Sequence, residues 1–136
     1  MPVRTTTGTF RYADWKEESV SPEETLPRLS RASVVNSFSG GITAPGTACV
    51  YATTYVTAKT GGFVGLELLT GTVDGRSGSF VLEQRGHFGE DGVVHCTFEV
   101  LAGSATGDLA GLTGSGGFTA VPGEPEVPYT LAYELD

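Results

Sequence analysis

Basic residues are scarce in this chain. Eight lysines and arginines stand against 16 aspartates and glutamates in 136 residues, which gives a formal net charge of -8 at pH 7. The few arginines are scattered along the chain. Because a nucleic-acid binder needs a concentrated positive patch, this composition argues against DNA, RNA and other polyanions as partners.

Long apolar runs are missing as well. The first ten residues, MPVRTTTGTF, lack the apolar core of a signal peptide, and no window approaches the length of a membrane span. We therefore expect a cytoplasmic protein without membrane contact. The two cysteines, Cys49 and Cys96, lie in apolar, strand-like segments. In a reducing compartment they are expected as buried thiols rather than as a disulfide.

Windows with the periodicity of a long helix are also absent. The chain holds 20 glycines and only 18% charged residues, a composition typical of turn-rich all-β proteins. Asp74-Gly75 is a strong hairpin signal between two strand-like segments. Residues 16–27 are predicted as a loop, with one helical turn begun by Ser21 and Pro22. The predicted strands cover residues 5–15, 29–39, 48–57, 63–73, 77–88, 93–101, 114–121 and 129–135.

The number and length of these segments favour a barrel. An antiparallel sheet of about eight strands must close or fold over itself to hide its edges. Several segments reach about ten residues, which exceeds the usual sandwich strand and suits the tilted strands of a small barrel. We predict one domain, residues 1–136, folded as an eight-stranded antiparallel β-barrel with a central cavity.

The densest glycine pattern lies at residues 106–118, TGDLAGLTGSGGF. Glycine permits positive φ and close backbone approach, so this spacing predicts a tight helical turn packed against a strand. A phosphate-binding loop is excluded, because the segment has no lysine and no long helix follows it.

Alternation along the strands predicts which side chains point into the barrel. Phe80, Leu82 and Phe88 share one face, opposite Glu83 and Arg85. Tyrosines on apolar faces bring a hydroxyl into apolar surroundings, where it meets either a partner at the barrel end or a ligand. Both alternatives stay open. The residues expected to line the cavity and contact a substrate are Trp15, Asn36, Tyr51, Tyr55, Phe80, Cys96, Phe98 and Tyr129.

Glu67 is the candidate for acid–base chemistry. It is the only charged residue in FVGLELL, and burying a carboxylate is costly unless it is paired or protonated. Inside a cavity it would act as general acid or base, with Tyr133 as a second catalytic candidate. On the outer face it would instead pair with an arginine such as Arg76 or lie in an oligomer interface. Asn36, among β-branched residues, would orient a carbonyl or bond a neighbouring backbone group.

Other chemical motifs are absent. His87 and His95 have no metal-ligand spacing, so no metal is expected. No G-x-S-x-G motif and no nucleotide fingerprint occur. A site without a cofactor remains.

Three segments, residues 29–42, 63–86 and 103–120, resemble a bacterial domain-of-unknown-function family whose members are similar to the calycin-like barrel of allene oxide cyclase. The resemblance covers roughly residues 7–135. It implies an eight-stranded barrel with a central cavity, often oligomeric, distantly similar to dirigent proteins and small polyketide cyclases.

The expected function is cofactor-independent cyclisation or isomerisation of a hydrophobic small molecule, polyketide-like or oxylipin-like, bound in the cavity. The alternative is a non-catalytic, dirigent-like scaffold that only binds the ligand. A third possibility is a filled barrel with a purely structural role. Apolar residues on both faces around Glu67, namely Val64, Leu66, Leu68 and Leu69, predict a homo-oligomer, either a dimer or a trimer.

Overall fold

The β-rich, glycine-punctuated sequence folds into a continuous antiparallel sheet. The computed structural model describes residues 2–136. Its strands are β1 (Arg4–Ser19), β2 (Arg28–Gly40), β3 (Ile42–Thr43), β4 (Ala48–Tyr55), β5 (Gly61–Val73), β6 (Arg76–Phe88), β7 (Val94–Val100), β8 (Thr113–Ala120) and β9 (Val127–Glu134). Among these residues, no helix has the length and apolar character needed to cross a membrane.

The sheet closes on itself. The eight long strands pair in the order β5-β4-β2-β1-β9-β8-β7-β6, and β6 pairs back onto β5 over Gly61–Val73. The two-residue strand β3 pairs with the last two residues of β5, Thr72 and Val73, on the same side of β5 as β4. The predicted eight-stranded antiparallel barrel is confirmed, because every long strand has a hydrogen-bonded neighbour on both sides.

Asp74 and Gly75 form the predicted hairpin turn. Val73 pairs with Arg76, which leaves a two-residue loop, and the φ angles of Asp74 and Gly75 are 47° and 89°. Positive φ at both positions defines the turn type whose twist matches that of the flanking strands.

The predicted loop at residues 16–27 is partly wrong. Strand β1 continues to Ser19, because an irregularity between Ala13 and Lys16 shifts the register and lets the strand pair onward with β2. An ion pair between Glu18 and Arg31, 2.5 Å apart, lies on this extension. The helical turn predicted at Ser21 and Pro22 is also wrong, since residues 20–27 contain only bends and turns.

One end of the barrel is closed by side chains. The 3₁₀ turn Gly107–Leu109, between β7 and β8, places Leu109 fully out of solvent in the core cluster that also contains Phe80 and Leu82. Thr106 N–H donates to the Ser79 carbonyl at 2.8 Å. The predicted tight turn against a strand is confirmed, and it fills this end of the interior.

Candidate functional site

The opposite end of the barrel is open. A cavity of about 510 Å³ lies between the inner faces of the strands and the loop at residues 121–124. Eight of its nineteen lining residues are aromatic, namely Phe10, Tyr12, Trp15, Tyr51, Tyr55, Phe63, Phe88 and Phe118. A space of this size, mostly apolar with a few polar groups, is typical of small-molecule sites.

The aromatic rings pack on one another around the cavity. Tyr51 meets Phe63 edge to face with ring centroids 5.1 Å apart, and Tyr55 meets Phe88 in the same way at 5.4 Å. Trp15 stacks on Tyr51 at 6.3 Å. Such contacts hold the walls in place, because each ring restricts the rotamers of its neighbour.

Glu67 points into the barrel, beneath the floor of this cavity. Only 2% of the residue is exposed. Its Oε2 accepts hydrogen bonds from Asn36 Nδ2 at 2.9 Å and from Thr47 Oγ1 at 2.6 Å, while Oε1 accepts one from Gln84 Nε2 at 2.6 Å. The outer-face alternative is therefore wrong. Arg76 binds the Asp136 carbonyl instead.

Gln84 links the buried carboxylate to the cavity. Its amide nitrogen donates to Glu67, and its Oε1 accepts the Tyr51 hydroxyl at 2.8 Å. The Cys96 thiol also approaches Oε1, at 3.7 Å. Tyr51 and Asn36 line the cavity, whereas Glu67, Thr47 and Gln84 lie behind them.

The two cysteines are buried, free thiols on either side of this network. Burial raises the pKa of Cys96 to about 12, with a further contribution from the negative charge of Glu67. Burial and then the same carboxylate raise the pKa of Cys49 as well. Both thiols therefore stay protonated near neutral pH and are poor nucleophiles.

Four of the eight predicted contact residues line the cavity, namely Trp15, Asn36, Tyr51 and Tyr55. The other four lie elsewhere. Phe80 and Phe98 belong to the packed core, and Cys96 contacts Gln84. The Tyr129 hydroxyl donates to the Ser39 carbonyl at 2.9 Å and accepts from Ile42 N–H at 2.8 Å.

Tyr133 is remote from Glu67 in the hydrogen-bond network. Its hydroxyl donates to Asp74 Oδ2 at 2.5 Å, and Thr6 donates to the other oxygen of Asp74 at 2.8 Å. Burial and this bond to Asp74 raise the pKa of Tyr133. The structure therefore places the two predicted catalytic residues in separate clusters, with Tyr133 at the closed end.

Sequence reasoning missed Gln84, Thr47 and Thr53. Gln84 could have been found from the sequence, because it follows Phe80 and Leu82 at every second position on the inward face of β6. Thr53 likewise shares the inward face of β4 with Tyr51. Thr47 gave no local signal, since it lies between β3 and β4 and reaches Glu67 only through the tertiary fold.

The mouth of the cavity carries a second acidic network. Glu17 accepts hydrogen bonds from Ser30 at 2.7 Å, Tyr55 at 2.6 Å and Trp15 at 3.2 Å. Burial alone would raise the pKa of Glu17, but these bonds outweigh it and hold the pKa below its usual value. Burial and donation to Glu17 raise the pKa of Tyr55 to about 12.

The lowered pKa of Glu17 predicts an acid-sensitive mouth. A carboxyl with a depressed folded-state pKa stabilises the fold above its unfolded pKa, and this contribution disappears as the pH falls through the folded value. We expect Glu17→Gln to be less stable than the parent at pH 7. As the pH falls below about 4.5, the free energy of unfolding should decrease less in the variant than in the parent. Urea unfolding at several pH values measures both. Equal pH dependence in the two proteins would contradict the prediction, and Glu23→Gln, in the neighbouring loop, is the control.

The two histidines lie outside the cavity. His87 and His95 are exposed cross-strand partners whose rings stack with centroids 5.2 Å apart. Within residues 2–136, histidine, cysteine and acidic side chains form no group of three that could hold a metal ion.

The fold and the cavity together define a closed β-barrel with one open, aromatic-lined end. Residues 6–133 match the model of a family described as "Protein of unknown function (DUF3224)", and the chain belongs to that family. A solved structure described as a protein with unknown function from the DUF3224 family of Shewanella oneidensis MR-1 is 23% identical, with 99% of each chain covered and a TM-score of 0.76. This likeness shows the shared fold. No curated protein matches the chain.

Proposed function

We propose that the open half of the barrel binds a small, largely apolar molecule. The observation that supports this most directly is the aromatic cavity of about 510 Å³ with its hydrogen-bonded polar floor. The other half of the interior is filled by side chains, so a ligand would lie near the mouth. A cytoplasmic location is part of the proposal, supported by the two buried, free thiols.

A neutral fluorescent probe, N-phenyl-1-naphthylamine, tests the binding proposal. We expect one probe to bind per chain with an increase in its emission. Ala120 lines the cavity, so Ala120→Phe should fill the space and weaken binding by about tenfold or more. Ala102 is exposed outside the cavity, and Ala102→Phe is the matched control. Equal binding by both variants, or no binding by the parent, would refute the proposal.

A second candidate function is cofactor-independent cyclisation or isomerisation. It is supported by the hydrogen-bonded path from Tyr51, in the cavity, through Gln84 to the Glu67 carboxylate. The likeness to allene oxide cyclases, which rests on the sequence, adds to it. In this mechanism the cavity folds a flexible substrate into a reactive conformer. Tyr51 would turn its hydroxyl from Gln84 to donate to a substrate oxygen, and water or a buffer base would take the proton from the carbon beside the carbonyl. Glu67 would act by orienting the amides that position Tyr51.

Enolisation of a simple ketone separates this candidate from pure binding. With 4-phenyl-2-butanone in deuterium oxide, we expect exchange of the protons beside the carbonyl to exceed the buffer rate. Tyr51→Phe should lower that rate by about a hundredfold, the lower range for loss of a positioned acid or base. Tyr133→Phe should leave it unchanged. Loss in Tyr133→Phe alone would restore Tyr133 as the catalytic tyrosine, and no exchange would leave binding as the function.

We also propose a homo-oligomer. The outer faces of β4 and β5 pair Val50 with Leu66 and Ala48 with Leu68, and Leu66 and Leu68 remain 48% and 47% exposed. Leu69, on the other face of β5, is buried inside the barrel. On the adjacent strand β6, Glu83 and Arg85 are exposed and form no ion pair within residues 2–136, so two copies related by a two-fold axis could pair them.

Charge placed in this apolar surface should prevent association. We expect sedimentation to show a dimer or trimer for the parent at micromolar concentration and a monomer for Leu66→Glu, because the new carboxylate would be desolvated in the interface. Val56→Glu, a comparably exposed change in the loop after β4, should leave the oligomer intact. A monomeric parent would contradict the proposal.

A further inference from the structure

The hydrogen-bond network beneath the cavity has a direction. All three side chains bound to Glu67 donate to it, from Asn36 Nδ2, Thr47 Oγ1 and Gln84 Nε2. Thr47 Oγ1 itself accepts from the Asn36 backbone N–H at 3.2 Å, which directs its proton towards Glu67. An amide side chain has an NH₂ donor and a carbonyl acceptor. Because the NH₂ groups of Asn36 and Gln84 point to the Glu67 carboxylate, their carbonyl groups point away from it.

The acceptor end of Asn36 and the hydroxyl oxygen of Tyr51 face the cavity. Within residues 2–136, every fully buried side-chain nitrogen or oxygen has a hydrogen-bond partner. Asn36 Oδ1 takes no such bond, so it is not sealed in the core, and Asn36 lines the cavity. Tyr51 gives its proton to Gln84, and its oxygen, which also lies beside the Cys49 thiol, keeps a lone pair for a ligand. The cavity floor therefore offers acceptors at Asn36 and Tyr51.

The group beneath the cavity floor also favours a positively charged ligand. Glu67 has no arginine, lysine or histidine among its hydrogen-bond partners in the described chain, so its negative charge is shared only with neutral groups. Among the described residues that line the cavity, Glu124 alone carries a charge. At low dielectric, an uncompensated carboxylate attracts a nearby cation strongly.

The walls also suit a cation. The faces of aromatic rings carry partial negative charge and attract ammonium and guanidinium groups. The molecule already uses one ring of the mouth in this way, because the Arg28 guanidinium carbon lies 4.3 Å from the centroid of Tyr55. Arg28 is held there by a hydrogen bond to Ser19 Oγ at 3.5 Å and by the negative charge of Glu17.

From these observations we infer that the ligand is a primary amine with an aryl or alkyl body. Its ammonium group would donate to Asn36 Oδ1 and to the Tyr51 oxygen, above Glu67, and its apolar body would fill the aromatic cavity. This inference rests on the proposed binding function and names the ligand class. It favours a cationic head over the neutral or acidic head of a polyketide-like or oxylipin-like molecule.

Three probes with one shared body test the inference. 4-Phenylbutylamine, 4-phenyl-1-butanol and 4-phenylbutyrate differ only in the charge and polarity of the head. At pH 7 the alkylamine is protonated and the carboxylate is ionised. The single tryptophan, Trp15, lies at the mouth, so its fluorescence and titration calorimetry both report binding. We expect the amine to bind about tenfold more tightly than the alcohol, and the carboxylate most weakly.

Each other result has a distinct meaning. Equal affinities would show that the cavity recognises only the apolar body of the ligand. That result would overturn the amine assignment but not the binding function. Tightest binding of the carboxylate would overturn it as well. No binding of any probe, together with no binding of the naphthylamine, would overturn the binding function itself.

Glu67→Gln tests where the selectivity originates. The new amide would donate to Gln84, whose own amide would turn over and donate to Tyr51, so the Tyr51 proton would then face the cavity. We expect the preference for amine over alcohol to fall towards one and the carboxylate to bind more tightly than to the parent. Glu99→Gln, on the outer face of β7, should keep the parent order. An unchanged amine preference in a folded Glu67→Gln protein would overturn the inference.

Discussion

Replacing Glu67 by alanine should lower the free energy of unfolding by about 3–5 kcal/mol, since each buried polar group left without a partner costs about 1–3 kcal/mol. The substitution removes the acceptor for Asn36, Thr47 and Gln84 at once. Water entering from the cavity side would recover part of the loss. Urea unfolding followed by circular dichroism measures the effect.

Two variants make this result specific. Glu67→Gln should lose much less stability, because reversal of the Gln84 amide and the Tyr51 hydroxyl restores most of the hydrogen bonds. Glu99→Ala removes a carboxylate from the outer face of β7, where it is exposed and bound to no described cation. It should change stability by less than about 0.5 kcal/mol. Similar losses from Glu67→Ala and Glu99→Ala would show that the network contributes little.

Gly78→Ala should destabilise the closed end of the barrel by about 2–4 kcal/mol, in the range of overpacked core positions. A Cβ atom at this position would lie 2.0 Å from the Thr106 carbonyl oxygen and 3.2 Å from Leu109 Cβ. Relief requires the Thr106 segment to move outward. That movement breaks its bonds to Ser79 and exposes Leu109.

The matched control is Gly89→Ala, in the connection after β6. Its Cβ atom would meet only the flexible Asp91 carboxylate, at 3.4 Å, so little change in stability is expected. Thermal unfolding compares the two proteins. Near-parent stability of Gly78→Ala would mean that the 3₁₀ turn adapts without loss, and would contradict the role given to this turn in closing the barrel.

The sequence specified the strands well because their signals are local. Alternation of apolar and polar residues, with glycine-containing turns between, located every long strand to within a few residues, and Asp74-Gly75 identified one hairpin directly. The inward faces of β6 and β7 followed from the same alternation. The part of β1 beyond Trp15 was not predicted, because its charged residues are typical of a loop and only pairing with β2 makes them a strand.

The site was less predictable because its contacts join distant segments. Glu67 stood out as a lone charge, but its direction depends on Asn36 in β2, Thr47 before β4 and Gln84 in β6. The relative depth of two inward tyrosines is likewise set by strand register around the barrel. Alternation places Tyr51 and Tyr133 on the inner face alike, yet one meets the cavity and the other the closed end.

The pairing of β1 with β9 also affects how the protein is made. Arg4 pairs with Tyr133 and Phe10 with Val127, so the first strand finds its second neighbour only after all the intervening strands have been synthesised. Contacts of such long sequence separation form slowly. On the ribosome, the nascent barrel therefore remains an open sheet with two exposed edges until β9 emerges. During that interval a chaperone that covers strand edges would have most effect on its yield.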